Sequence, residues 1–170
     1  MFKNLAAAIF LTERDAEGED NAPKVKGRIV TTLQNAKEIR PIVEKAITLA
    51  RKTLDQAEKA SEFGTQAERQ TAEWRAWRKG PQWQKWAAAM APIVAARRKA
   101  VQILGDKQAV KILFSEIAPR FKDRPGGYTR ILRLARPRVG DAGTRAILEF
   151  VGVRDRVAAT SEKPSFGDDE

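Results

Sequence analysis

Ile39, Ile42, Val43, Ala46, Ile47 and Ala50 recur at i, i+3, i+4, i+7, i+8 and i+11. Apolar residues at that spacing form one stripe on an α-helix, and the stripe must be buried against something. The pattern predicts a core-facing helix within 34–52. Pro41 interrupts it. Either the proline kinks this helix, or it marks the true start and "QNAKEIR" forms a preceding turn.

The remaining elements are read around that helix. Phe2, Leu5, Ile9 and Phe10 predict a short amphipathic helix over 1–12. The acidic stretch "TERDAEGEDNAPK" reads as a loop, and β-branched "GRIVTTL" (27–33) as a strand. Residues 53–95 are alanine-rich and punctuated by Gly64, Gly80–Pro81 and Pro92, which predicts two or three helices joined by short turns. "RRKAVQILG" closes a helix at Gly105, and Asp106 can cap the next. That next helix carries the stripe Ala109, Val110, Leu113, Phe114 and Ile117, and Pro119 ends it. "YTRILRLARP" fits a helix or a strand. Its flanking Gly126–Gly127, Pro137 and Gly140 favour a strand, because so short a helix is marginal. With "RAILEFVGV" it makes a β-hairpin. The fold class is α+β. Residues 1–153 are expected to form one domain, interrupted by a helical insertion at about 53–95. The tail 154–170 has little to bury and is expected to be disordered.

The chemistry is bounded by what is missing. The chain has no cysteine and no histidine. That removes disulfides, thiolate nucleophiles, the commonest general base and the commonest metal ligands. Glu116, Glu149 and the other carboxylates form no conspicuous pair, so an enzyme is not indicated. No cofactor, metal or small-molecule substrate is implied. No apolar run is long enough to span a bilayer and the first residues do not read as a secretory signal, so the expected location is the cytoplasm.

The net charge of +10 points to a polyanionic partner. It is concentrated. Over 120–138 stand Arg120, Lys122, Arg124, Arg130, Arg133, Arg136 and Arg138 against the single acid Asp123. Six of these seven cations are arginine, which grips phosphate in a bidentate fashion. Gly126–Gly127 would let backbone approach a ligand, and Tyr128 offers a stacking face. Arg97, Arg98 and Lys99 form a second cationic group on a helix. Lys26, Arg28, Lys37 and Arg40 flank the first strand and could extend the same surface.

These residues lie in blocks that resemble a known family. "MFKNLAAAIF", "RIVTTLQNAKEIRPIVEKAITLAR" and "RRKAVQILGDKQAVKILFSEIAPRFKDRPGGYTRILRLARPRVGDAGTRAILEFV" are similar, in order and content, to the bacterial large-subunit ribosomal protein seventeen family. The run through "EIAPRF" and "GGYTRI" is the most specific part. The resemblance implies a small three-stranded sheet packed against helices, no catalytic activity, and a structural role bound to large-subunit rRNA near the polypeptide exit side, beside neighbouring large-subunit proteins. It carries rRNA contact to Lys3 and Asn4 in the first block and to Thr31, Lys37 and Arg40 in the second. In the third it carries contact to Arg97, Arg98, Arg120, Arg124, Gly126, Gly127, Tyr128, Arg130 and Arg133. The alternative is a ribosome assembly factor or another RNA-binding paralogue. Family members usually carry a basic, histidine-containing arm ahead of the first block, and this chain starts at that block. The acidic loop should face away from phosphate. Residues 53–95 have no counterpart in a typical member.

That last segment holds all four tryptophans, in "WRAWRKGPQWQKW" (74–86). Aromatics interleaved with cations can stack on bases. They can equally be the core of a helical hairpin. Trp74 and Trp77 share a helix face, as do Trp83 and Trp86, and Gly80–Pro81 can bring the pairs together. An inserted hairpin must bury something to be stable, so packing is the favoured reading. The cations alongside could still reach RNA.

Overall fold

The computed structural model describes residues 1–16 and 18–152. The expected disordered tail lies outside them. Helix α1 (Phe2–Leu11) is followed by strand β1 (Arg28–Thr32) and helix α2 (Leu33–Arg51). Three further helices come next: α3 (Leu54–Glu62), α4 (Ala72–Lys79) and α5 (Pro81–Leu104). Helix α6 (Lys107–Ile112) runs through a π-helical stretch (Leu113–Ile117) into a last turn, α7 (Ala118–Arg120). Strands β2 (Thr129–Arg133) and β3 (Arg145–Phe150) complete an α+β fold.

Helix α2 is the hub. Ala36, Ile39, Val43, Ala46, Ile47 and Ala50 are its buried residues, and it packs against α1, α5 and the strands. Each large aliphatic side chain so buried contributes about 1.5–3 kcal/mol. The helix starts at Thr32, whose hydroxyl accepts from the Asn35 N–H at 3.4 Å, so Pro41 neither starts nor ends it. Pro41 sits on the exposed face, where water can serve the Lys37 carbonyl that has lost its donor. Pro92 is likewise exposed inside α5, so one helix runs from the tryptophans to Leu104. Gly105 and Asp106 perform the expected caps, Asp106 Oδ1 accepting from the Ala109 N–H at 2.7 Å.

Pro119 does not end its helix. The Ala118 N–H reaches back to the Leu113 carbonyl, a wider turn than an α-helix makes. That widening gives the Pro119 ring room over the preceding turn.

The sheet is antiparallel in the order β1-β3-β2. Ala146, Leu148 and Phe150 point into the core. Phe150 meets Phe10 (ring centroids 5.7 Å apart) and Phe121 (6.2 Å), so the sheet, α1 and the end of the α6–α7 helix share one aromatic cluster. The core cluster includes Ala100 and Leu104 of α5 but not Ile93, Ala96 or Ala60. The tryptophan-bearing part therefore stands apart from the main core.

Candidate nucleic-acid interface

The β2–β3 hairpin is the expected one, and its register sorts its cations. Directly paired residues of an antiparallel sheet share a face. On the outer face Glu149 lies between Arg28 and Arg130. Glu149 is almost fully buried and accepts from Arg130 Nε at 2.6 Å. The next outward row is apolar: Val30, Ile147 and Leu132, with Val30 51% and Leu132 42% exposed. Arg133 and Arg136 are exposed and make no side-chain polar contact among the described residues. Arg138 is different. It chelates Asp141 through Nε (2.9 Å to Oδ1) and Nη2. That grip, with the Gly143 N–H, holds the Asp141 carboxyl well below the usual carboxylate range.

Most other cations of 120–138 also have internal partners. Arg120 donates to Glu13 at 3.0 Å, across 107 residues of sequence. Glu13 belongs to the acidic segment after α1, so that segment is not wholly turned away from the basic run. Gly27 makes the approach possible: its φ is +74°, and a Cβ there would sit 3.0 Å from Glu13 Oε1. Lys122 pairs with Glu58 of α3 at 2.5 Å, and this hydrogen bond raises the lysine above its ordinary value. Arg124 is exposed and among the described residues bonds only the Gly126 carbonyl, at 3.1 Å.

Tyr128 corrects the sequence expectation. Its ring is 1% exposed and packs on Phe121 at 5.1 Å, with the hydroxyl unpaired among the described residues. A buried ring offers no stacking face, because the apolar interior takes it up. Of the two preceding glycines, Gly127 has φ +62° and turns the chain into β2, while open space surrounds both Cβ positions.

The remaining candidates are dispersed. Lys3 and Asn4 are exposed on the first turn of α1, and Lys26 just before β1. Thr31 lines a shallow cleft with Asn35, Arg138 and Arg145, which joins the β1–α2 junction to the hairpin. Lys37 is exposed on α2, while Arg40 pairs with Glu44 at 3.2 Å. Arg97 lies over the Phe114 ring (5.3 Å), and Arg98 is exposed beside it.

One group was missed. Lys45, Thr48 and Leu49 of α2, Lys52 just past its end, and Lys99 and Ile103 of α5 line a cleft of about 330 Å³ that holds three lysines and no acid. The signal was in the sequence: Lys45, Thr48, Leu49 and Lys52 recur at i, i+3, i+4 and i+7, a second stripe beside the core stripe. Arg145 was also missed. Among the described residues no cluster of carboxylates could hold a metal ion, and no helix is long and apolar enough to cross a membrane.

What kind of protein carries this arrangement is decided by comparison. The sequence profile of the family described as Ribosomal protein L17 matches residues 1–151. The chain belongs to that family. A Large ribosomal subunit protein bL17 from Rhodopirellula baltica is 57% identical over 169 residues, covering 99% of this chain and 80% of its own length. The bL17 of Halothermothrix orenii is 40% identical over 125 residues, 74% of this chain and 75% of that protein. That of Bradyrhizobium diazoefficiens is 35% identical over 151 residues, 89% and 70% respectively. The L17 family is one of ribosomal proteins, not enzymes.

Proposed function

We propose that the protein is a structural constituent of the large ribosomal subunit, in the bacterial cytoplasm, and that it binds and stabilises large-subunit rRNA. Membership of the L17 family carries the reading. The surface supports it. Arg133 and Arg136 at the hairpin, Arg124 below it and Lys45, Lys52 and Lys99 in the α2–α5 cleft are exposed cations with no internal ion pair among the described residues. They need no chemistry to act. Each phosphate they neutralise releases a condensed counterion, and the rigid α2-centred scaffold fixes how the RNA lies. Arg28, Arg97, Arg98, Lys3, Asn4, Lys26, Thr31, Lys37 and the backbone at Gly126–Gly127 extend the proposed footprint. Arg120, Lys122, Arg130 and Arg138 serve first as internal braces, and Arg40 as a helix-surface pair.

The apolar row Val30–Ile147–Leu132 offers little to phosphate and suits a neighbouring ribosomal protein. Residues 1–153 act as a single RNA-binding domain in this reading, with about 53–95 an added helical element whose tip lies off the main core.

The test is sedimentation of tagged protein from cells. Comigration with mature large subunits, and salt-sensitive binding to large-subunit rRNA that Arg124→Glu weakens, are expected. Comigration with some other particle overturns the proposal. Presence only in precursor particles replaces it with an assembly factor.

A further inference from the structure

The tryptophan segment is neither buried core nor idle surface. No residue of α4 is buried, and all four tryptophans are partly exposed. Two are tied down. Trp77 Nε1 donates to the Phe63 carbonyl at 3.1 Å, and its ring meets Trp86 edge-on at 5.6 Å. The other two hold a cation: the Arg78 guanidinium lies 5.0 Å from the Trp74 ring centre and 5.8 Å from that of Trp83. Arg78 makes no hydrogen bond or ion pair among the described residues. Together Trp74, Trp77, Trp83 and Trp86 line a cleft of about 470 Å³, the size of a small-ligand site. Its charged lining is Arg69 and Arg78, with no carboxylate.

We infer that this cleft takes an unpaired RNA nucleotide, the base stacked on indole and the phosphate held by Arg78 and Arg69. The chemistry favours this ligand. Indole surface stacks on any base, whatever the sequence. A guanidinium flanked by rings keeps its donor edge for phosphate while its faces are occupied. An acidic peptide would satisfy the arginines and leave the indole surface uncovered. The cleft thus adds a base-stacking contact to a protein whose other proposed contacts address the phosphate backbone. It rests on the reading of this protein as an RNA binder.

The test uses the full chain, in which every tryptophan belongs to the cleft, so tryptophan fluorescence, excited selectively over tyrosine, reports on it alone. Titration with single-stranded oligoadenylate should quench the emission saturably, and an abasic oligomer of equal length should quench far less. Trp74→Leu should weaken oligoadenylate binding about tenfold. Arg78→Gln should also weaken it while circular dichroism stays unchanged, which guards against simple unfolding of α4. Equal quenching by the abasic oligomer, stronger quenching by an acidic peptide, or none by any probe overturns the inference. Salt-sensitive binding to large-subunit rRNA, measured alongside, separates the outcomes. If it persists while quenching fails, only the cleft assignment falls; if it too is missing, the ribosomal reading falls first.

Discussion

The segments 120–138 and 74–86 are both rich in cations, and the fold uses them in opposite ways. In the first, Arg120, Lys122, Arg130 and Arg138 are paired with Glu13, Glu58, Glu149 and Asp141, and both aromatic rings, Phe121 and Tyr128, are in the core. In the second, Arg78 has only rings for partners among the described residues, and the indoles line an open cleft. A high density of charge in the sequence is therefore not a measure of charge on offer. Acids far away in sequence decide how much remains.

The sharpest way to break this contrast is at Tyr128. As core, it should lose about 3–5 kcal/mol of stability on Tyr128→Ala by denaturant unfolding. Tyr128→Phe should cost under about 1 kcal/mol, because the hydroxyl has no partner to lose among the described residues. A stacking residue would show the reverse: little change in stability with Tyr128→Ala, and weaker RNA binding. Next in size is Glu149→Ala. It removes a buried carboxylate from between two arginines and should cost about 1–3 kcal/mol, seen as a lower midpoint with an unchanged slope. Trp77→Leu, which loses one indole hydrogen bond and one ring contact, should cost about 1–2 kcal/mol. Its effect should be confined to hydrogen exchange in α3 and α4, leaving the sheet protected. If the sheet loosens too, the tryptophan segment is not separate from the core.

How much of this was legible follows from the range of the interactions. The stripe of α2 and the caps at Gly105 and Asp106 are set by residues within a few positions of each other, and the β2–β3 hairpin by two strands consecutive in sequence, and they were readable. The helices that tolerate Pro41 and Pro92 were not. A proline inside a helix always costs stability, but the helix absorbs it most easily where the orphaned carbonyl faces water, and that exposure is a tertiary property. The Arg120–Glu13 bridge and the burial of Tyr128 depend on partners brought together by the whole fold. The lysine cleft lay between: its α2 half was visible as a stripe, but Lys99 joins it only once α5 lies beside α2.

Smaller effects test which arginines face RNA. Arg133→Ala and Arg136→Ala should leave stability within about 0.5 kcal/mol of the parent, and each should lower the slope of log binding constant against log salt by about one. Lys122→Ala should change that slope less, since the lysine already has Glu58. Equal slopes for all three would mean that the internal pairs open freely in the complex.

The smallest change is at the hairpin tip. Arg138 and the Gly143 N–H hold the Asp141 carboxyl below its ordinary range. A depressed carboxylate contributes to folding above its unfolded value, about 3.9, and the contribution fades as pH falls from there through the lower folded value. The Gly143 amide signal in NMR should then stay constant from neutrality to about pH 4 and move only in stronger acid; a midpoint near 4 would mean that the pair is not formed. Asp141→Asn takes away the partner without altering the shape of the tip. The exposed site makes this nearly silent in unfolding experiments. It releases Arg138 beside Arg145 and Thr31, so the salt slope of rRNA binding should rise. An unchanged slope would place the hairpin tip outside the RNA interface and leave Arg133 and Arg136 as its edge.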